Sequence, residues 1–225
     1  MRPMNTARRA LVRRTAMAAA GYLLVKPVWA FADSAPLDEI AHALLENMHS
    51  PALQPFLSAW PQPSARRASQ ASSLPVLRYL PKLRAGAPPF SAALVDALTA
   101  TAASLAWRRS YSSPSVSEQF LENYAWTEFV GLTGPLAGKQ LACGVLLLGP
   151  GTTYPAHHHE AEEIYVPLSG NAAWKQGGGD WREQSPGAVI HHAPQESHAM
   201  RTGSAPLLAL YLWHSDNLAQ KSQLD

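Results

Sequence analysis

Two patterns of apolar and polar positions divide this chain. Over residues 36–134 apolar side chains recur at helical spacing, punctuated by proline. In LDEIAHALLENM, Leu37, Ile40, Ala41, Leu44, Leu45 and Met48 share one helical face, because residues three and four apart stack along one side. Ser34-Ala-Pro-Leu ahead of it suits a helix N-terminus. A second short helix is expected over 51–60, followed by a polar loop over 61–73. FSAALVDALTATAASLAW, residues 90–107, is the strongest helical run, rich in alanine and leucine, with Ser91 placed to cap it. SEQFLENYAWTEFVG predicts a last helix ending near Gly131. After Gly138 the character changes to short apolar runs between Gly, Pro and Asn turns. QLACGVLLLG, EEIYVPLSG, NAAWKQ, DWREQ, GAVIHHA, SHAMRT and PLLALYLWH read as strands. So many short strands in so little chain suit a small antiparallel barrel or jelly roll, closed enough to hold one small ligand. The turn at Gly177-Gly178-Gly179-Asp180 leads into another strand rather than a helix, which argues against a phosphate loop. The expected architecture is mainly β: an α-helical segment over 33–135, a barrel over 136–217 and a C-terminal tail over 218–225.

Composition refines this picture. At 225 residues and 47% hydrophobic content the chain can bury a substantial core in one domain. Its net charge of +2 conceals an asymmetry. Arg2, Arg8, Arg9, Arg13, Arg14 and Lys26 all lie within residues 1–32, where there is no acid. Removing those 6 from the 18 basic residues leaves 12 against 16 acidic ones, a net charge of −4 for the rest. A folded body of that sign is a poor nucleic-acid binder. The first 32 residues have the form of an export signal. A basic stretch ends at Arg13-Arg14, AMAAAGYLLV follows, and Ala30-Phe31-Ala32 offers a small-x-small cleavage site. The paired arginines suggest the twin-arginine route, although Ala16 and Met17 stand where bulkier apolar residues are usual. The expected location is periplasmic or exported, with no stable membrane insertion after cleavage. The apolar run is too short for a convincing span. Cys143 is the only cysteine, in the buried-strand pattern LACGVLLLG, and reads as structural filler.

The chemistry concentrates in residues 151–170, GTTYPAHHHEAEEIYVPLSG. His157 and His159 are two apart, so on a strand they project from one face and leave His158 on the other. Glu163 follows four residues later, with Glu162 alternating outward. Imidazole and carboxylate donors suit one divalent ion, Zn, Fe, Mn or Ni. A fourth donor must come from elsewhere, and His198 is well placed to supply it. Tyr165, two beyond Glu163, faces the same way, where a nearby cation would stabilise its phenolate and make it a usable base. Tyr154 stands three before the first ligand and either helps catalysis or packs. His191 and His192 are adjacent, so at most one points inward, and a structural role suits both. His42 and His49 lie on the helical segment and call for no special role.

These residues resemble the cupin superfamily. Its first motif runs Gly, five residues, His-x-His, three or four residues, Glu, six residues, Gly, and Gly151, His157, His159, Glu163 and Gly170 meet every position. The second motif is met in part: Pro194 and His198 are present, but Gln195 replaces the glycine and Thr202 the asparagine. Within the cupins the chain resembles the dimethylsulfoniopropionate lyases through Tyr154-Pro155, His157, His159, Glu163, Tyr165, HAMRT and LLALYLW, a likeness that covers most of the chain after about residue 36.

That resemblance implies a cupin-type barrel and a metal-dependent carbon–sulfur lyase. His157, His159, Glu163 and His198 would be the ligands, with Tyr165 and Tyr154 catalytic. The implied substrate is a small carboxylate bearing a sulfonium. Trp174, Tyr211 and Trp213 would then offer π faces to that cation if they line the cavity, and core packing is equally open for each. A cupin dioxygenase or isomerase acting on another small carboxylate or sugar is the rival enzyme, and a periplasmic ligand-binding cupin the rival without catalysis. The helical segment either covers the barrel mouth or forms a homodimer contact.

Overall fold

The structure, a computed structural model, describes residues 36–63 and 66–225. The export-signal reading of residues 1–32 lies outside the described residues. Among those described, five α-helices come first: α1 (Leu37–Asn47), α2 (Gln54–Ser58), α3 (Leu80–Gly86), α4 (Pro89–Thr101) and α5 (Glu118–Glu122). The strands are β1 (Tyr124–Gly131), β2 (Leu136–Ala137), β3 (Leu141–Leu148), β4 (Thr153–His158), β5 (Glu162–Ser169), β6 (Ala172–Gln176), β7 (Arg182–Gln184), β8 (Ile190–His192), β9 (His198–Thr202), β10 (Leu207–His214) and β11 (Gln223–Leu224). They form two facing sheets, a six-stranded one in the order β2-β1-β3-β10-β5-β8 and a five-stranded one in the order β11-β4-β9-β6-β7. Among these strands only β1 and β2 pair in parallel. This is the expected mainly-β double sheet of the cupin type, preceded by helices.

The two faces of the larger sheet explain why its strands read as unbroken apolar runs. Val145, Leu147, Ile164, Val166, Leu168, Leu208, Leu210 and Leu212 pack against Ile40, Leu44, Phe56, Leu83, Leu94 and Leu98 of the helices. The alternate positions Ala142, Leu146, Tyr165, Ala209 and Tyr211 face Tyr154, Ala172, Trp174 and Met200 across the interior. A strand buried on both sides has no polar face to alternate with. The helices therefore lie against the back of the sheet, leaving the ligand-bearing interior to other segments.

Three expectations require correction. The helix predicted up to Gly131 stops at Glu122, and from Tyr124 the chain is strand β1. Tyr124, Trp126 and Glu128 alternate with Ala125, Thr127 and Phe129, and pairing with β3 from Tyr124↔Leu148 to Glu128↔Gly144 outweighs the local helical pattern. The sheet thus begins well inside the segment read as helical to residue 135. Residues 218–225 are likewise no simple tail, because β11 adds to β4 through Gln223↔His158 and Leu224↔His157. Helix α4 starts at Pro89 with Pro88 as its N-cap residue and ends at Thr101, followed by one 3-10 turn over Ala102–Ser104. Ser91 does not cap it. Its buried hydroxyl donates to the Leu168 carbonyl at 2.7 Å and pins α4 to β5.

Candidate metal centre and cavity

Three strands and one loop bring the chemistry together. His157 lies near the end of β4, directly opposite His198, the first residue of β9, after a shift in register between Tyr154 and His157. His159 opens the loop into β5, which carries Glu163 and Tyr165 on its inner face. Gly170 closes that strand at φ +80°, where a Cβ would lie 2.1 Å from the Pro206 carbonyl oxygen. Only glycine satisfies both the left-handed backbone and that close approach.

Ring nitrogens of His157, His159 and His198 lie within 4.8 Å of one another, and all three side chains are buried. Their Nδ1 atoms contact backbone carbonyls: Pro155 O at 2.9 Å, Ala161 O at 3.0 Å and Glu196 O at 2.8 Å respectively. A carbonyl can only accept, so each Nδ1 carries a proton and each Nε2 is left for another partner. Glu163 Oε2 is 3.0 Å from His159 Nε2 and 3.1 Å from His198 Nε2. A carboxylate oxygen that close to two imidazole nitrogens requires positive charge between them, either a proton or a cation. His198 Nε2 makes no hydrogen bond of good geometry despite its burial. Imidazoles in that tautomer around one carboxylate are a donor set suited to a divalent cation.

The electrostatics agree. Burial, reinforced by neighbouring His198, pushes His157 down to about 3, so it stays neutral at ordinary pH. Burial alone would raise Glu163, but His159 and His198 hold it well below the usual carboxylate range. His198 moves upward: burial works against it, and the adjoining Glu163 carboxylate outweighs that penalty. The second carboxylate oxygen, Glu163 Oε1, accepts from Trp213 Nε1 at 2.6 Å. His192, expected to be structural, is fully buried and stacks on His198 with ring centroids 4.1 Å apart, so it fixes that ring's plane. His191 is the outward member of the pair and meets Glu162 at 2.7 Å. His158 also faces outward, 2.5 Å from Asp225.

Beside these donors lies a cavity of about 390 Å³. Tyr154, His157, Glu163, Tyr165, Tyr211 and Trp213 all line it, where the sequence left packing equally open for Tyr154, Tyr211 and Trp213. Trp174 does not. It is buried with its ring 6.3 Å from that of Tyr165, in the core beyond the cavity wall. Tyr154 stacks flat on His157 at 4.2 Å. Its hydroxyl lies 3.2 Å from Tyr111 and 3.3 Å from Tyr124, a chain that continues to Ser222 at 2.9 Å and Ser110 at 2.9 Å. Burial raises Tyr154 and Tyr165 well above the ordinary phenol range, Tyr165 with further help from Glu163. Sequence reading missed Arg109, Tyr124 and Trp126 in the cavity lining, and Tyr111, which meets the Tyr154 hydroxyl. Tyr124 and Trp126 are legible once 124–131 is read with a period of two. Nothing local marks Arg109.

A family model described as dimethylsulfoniopropionate lyase matches residues 49–209. The chain belongs to the dimethylsulfoniopropionate lyase family. Among its curated relatives, the dimethylsulfoniopropionate lyase DddQ of Ruegeria pomeroyi is 37% identical over 125 residues, 56% of this chain and 62% of that protein. The chain thus spans less than two thirds of that relative's length. The crystal structure of DMSP lyase DddQ from Ruegeria pomeroyi superposes with a TM-score of 0.76 at 30% identity, covering 88% of this chain and 96% of that one. A structure reported with the DMSP lyases RdDddP and RnDddQII gives a TM-score of 0.75 at 29% identity, over 89% and 99% of the two chains. Family membership accounts for the helices ahead of the barrel as well as for the barrel, since the superpositions span both.

Proposed function

We propose that this protein is a metal-dependent lyase that cleaves dimethylsulfoniopropionate to dimethyl sulfide and acrylate. The observation that carries this reading is the convergence of His157, His159, His198 and Glu163 beside a cavity into which Tyr165 also projects. Those four residues would hold the cation. When bound, it supplies positive charge that takes the substrate carboxylate, offsets the charge developing there and favours the phenolate of Tyr165.

The chain's own groups do the rest. Trp213 fixes Glu163 from one side, and His192 fixes His198 by stacking. Tyr165 Oη removes the proton from the carbon next to the carboxylate. That electron pair becomes the new carbon–carbon double bond, the carbon–sulfur bond breaks, and its electrons leave with neutral dimethyl sulfide. The π face of Trp213 in the cavity wall suits the departing sulfonium end. Tyr154, stacked on His157 and tied to two other phenols, orients the imidazole and bounds the space around the reacting carbon. No electron is gained or lost overall, so oxygen is not consumed. The N-terminal signal would place this activity in the periplasm.

Purified, metal-analysed protein mixed with dimethylsulfoniopropionate should release dimethyl sulfide into the headspace and acrylate into solution in equal amounts. Oxygen uptake with a small carboxylate, in place of dimethyl sulfide release, would favour the dioxygenase. Binding without turnover would favour the ligand-binding cupin.

A further inference from the structure

Three hydrogen-bond donors in the cavity lining have no acceptor. Arg109 Nε, Trp126 Nε1 and Tyr211 Oη are all buried atoms without a hydrogen-bond partner, and all three residues line the same cavity. Buried polar groups are nearly always paired, because water that would have bonded them is lost. A single orphan is commonplace; three donors on one cavity wall point to an acceptor that enters from outside.

The fold sets Trp126 apart from the imidazole cluster, whereas Tyr211 is the direct cross-strand partner of Tyr165 on β5 and joins the two. Trp126 lies on β1 and Tyr211 on β10, on either side of β3. Their rings meet edge to face, with centroids 6.3 Å apart. Gly144 of β3, paired with Tyr211 on one side and Glu128 on the other, leaves room for the phenol: a Cβ there would stand 2.8 Å from Tyr211 Oη. From β1 to β5, which carries Glu163, is three strand steps, or roughly 14 Å measured along the sheet.

We propose that Arg109, Trp126 and Tyr211 form a carboxylate-binding subsite in the cavity wall, separate from the imidazole–carboxylate cluster. A guanidinium and an indole N–H can only donate. Tyr211 keeps its proton as well, since burial and the nearby Glu128 raise its phenol well above the ordinary range. Charge around this cavity favours an anion over a neutral acceptor. Arg109 and Lys221 both line the cavity, and neither forms an ion pair among the described residues. The carboxylates that face the same space are Glu163 and Glu128. Glu163 is engaged by Trp213, His159 and His198. Glu128 Oε1 accepts from Thr133 N at 2.6 Å, Thr133 Oγ1 at 3.0 Å and Gly134 N at 2.6 Å, which ties that side chain to its own turn.

The occupant is therefore the carboxylate of a small organic acid. This goes beyond the lyase reading, on which it rests only for the class of acid that enters: the cavity holds a second carboxylate anchor that needs no metal.

Propanoate tests this without turnover, with neutral propanamide as control. Full-length protein is titrated by calorimetry and ligand-observed NMR, both metal-loaded and after chelation. Saturable propanoate binding should persist after chelation and exceed that of propanamide. Tyr211→Phe should weaken it roughly tenfold, and Arg109→Gln at least as much. Tyr211→Phe removes a hydroxyl that satisfies nothing inside the protein, so its melting temperature should hold or rise, which separates a binding role from a structural one. Absence of propanoate binding after chelation, or equal affinity in both variants and the parent, overturns the subsite. A swing of Glu128 onto Arg109 in solution would appear as that second result. Headspace dimethyl sulfide is read separately, so failure of the lyase reading leaves this outcome intact, and the reverse.

Discussion

Trp213 donates its indole N–H to Glu163 Oε1 at 2.6 Å, while the other oxygen of that carboxylate faces His159 and His198. Two strands cooperate in this, since Trp213 on β10 is the direct cross-strand partner of Glu163 on β5. A carboxylate held from behind presents its free oxygen in one direction, which is what a metal ligand requires. Trp213→Phe keeps a ring against His159 but removes the donor. Metal affinity should fall about 10- to 100-fold, read by competition with a chelating dye, while the circular dichroism spectrum is unchanged.

Tyr165 is the proposed base, and its hydroxyl is the only group lost in Tyr165→Phe. Release of dimethyl sulfide should stop, with metal content by elemental analysis equal to that of the parent. Full turnover in this variant would refute the assignment.

Without the cation, burial and Glu163 keep Tyr165 protonated. Chelation should therefore abolish turnover, and adding back a divalent ion should restore it. The ion binds a site that the unfolded chain lacks, so it should also stabilise the fold by about 2.7 kcal/mol at a free concentration 100 times its dissociation constant. His198→Ala should erase that thermal shift.

Acid should destabilise the metal-free protein from the imidazole side. His157 and His192 are each held down to about 3 in the folded chain, whereas the unfolded chain titrates them near 6.5. Between those values the unfolded state binds more protons, so stability falls as pH drops from about 6.5 toward 3, by roughly 1.4 kcal/mol per pH unit for each fully engaged group. Glu163, depressed when folded, adds a loss in the same direction at lower pH. His198, raised when folded, acts oppositely: its contribution is complete below 6.5 and fades as pH rises through its folded value. Urea denaturation across this range should follow the downward trend, and His192→Phe should flatten it.

Gly170→Ala places a methyl group on a left-handed backbone, against the Pro206 carbonyl. It should cost roughly 2 kcal/mol or more in urea denaturation. Gly151, at φ +63°, has open space where a methyl group would go, so its alanine variant should suffer only the backbone strain and lose less stability in the same measurement.

Much of the candidate site could be read from one dimension because its parts are close in sequence. His157, His159, Glu163 and Tyr165 span nine residues, and the two-residue period of a strand determines which of them share a face. Helix α4 is equally local, an alanine-rich run that begins at a proline. The failures have the opposite character. Residues 124–131 follow SEQFLEN without a break and read with it as one helix, and only pairing with β3 overrides that. Trp174 fits a strand of the barrel, yet whether a strand residue reaches the cavity depends on how deep its sheet neighbours stand. Arg109 belongs to an irregular segment with no period to follow.

The sequence by itself determined that helices give way to strands, though not where, and with that the spacing of His157, His159 and Glu163 and the glycines that bracket them. These follow from backbone geometry and from spacing over a few residues. Only the tertiary structure decided that His198 meets His157 across two strands, that Trp213 braces Glu163, that the helices back the larger sheet, and that Arg109, Trp126 and Tyr211 share one wall. Each of those depends on which strands become neighbours, a choice made by burying two faces of one sheet at once, and no local window of residues contains it.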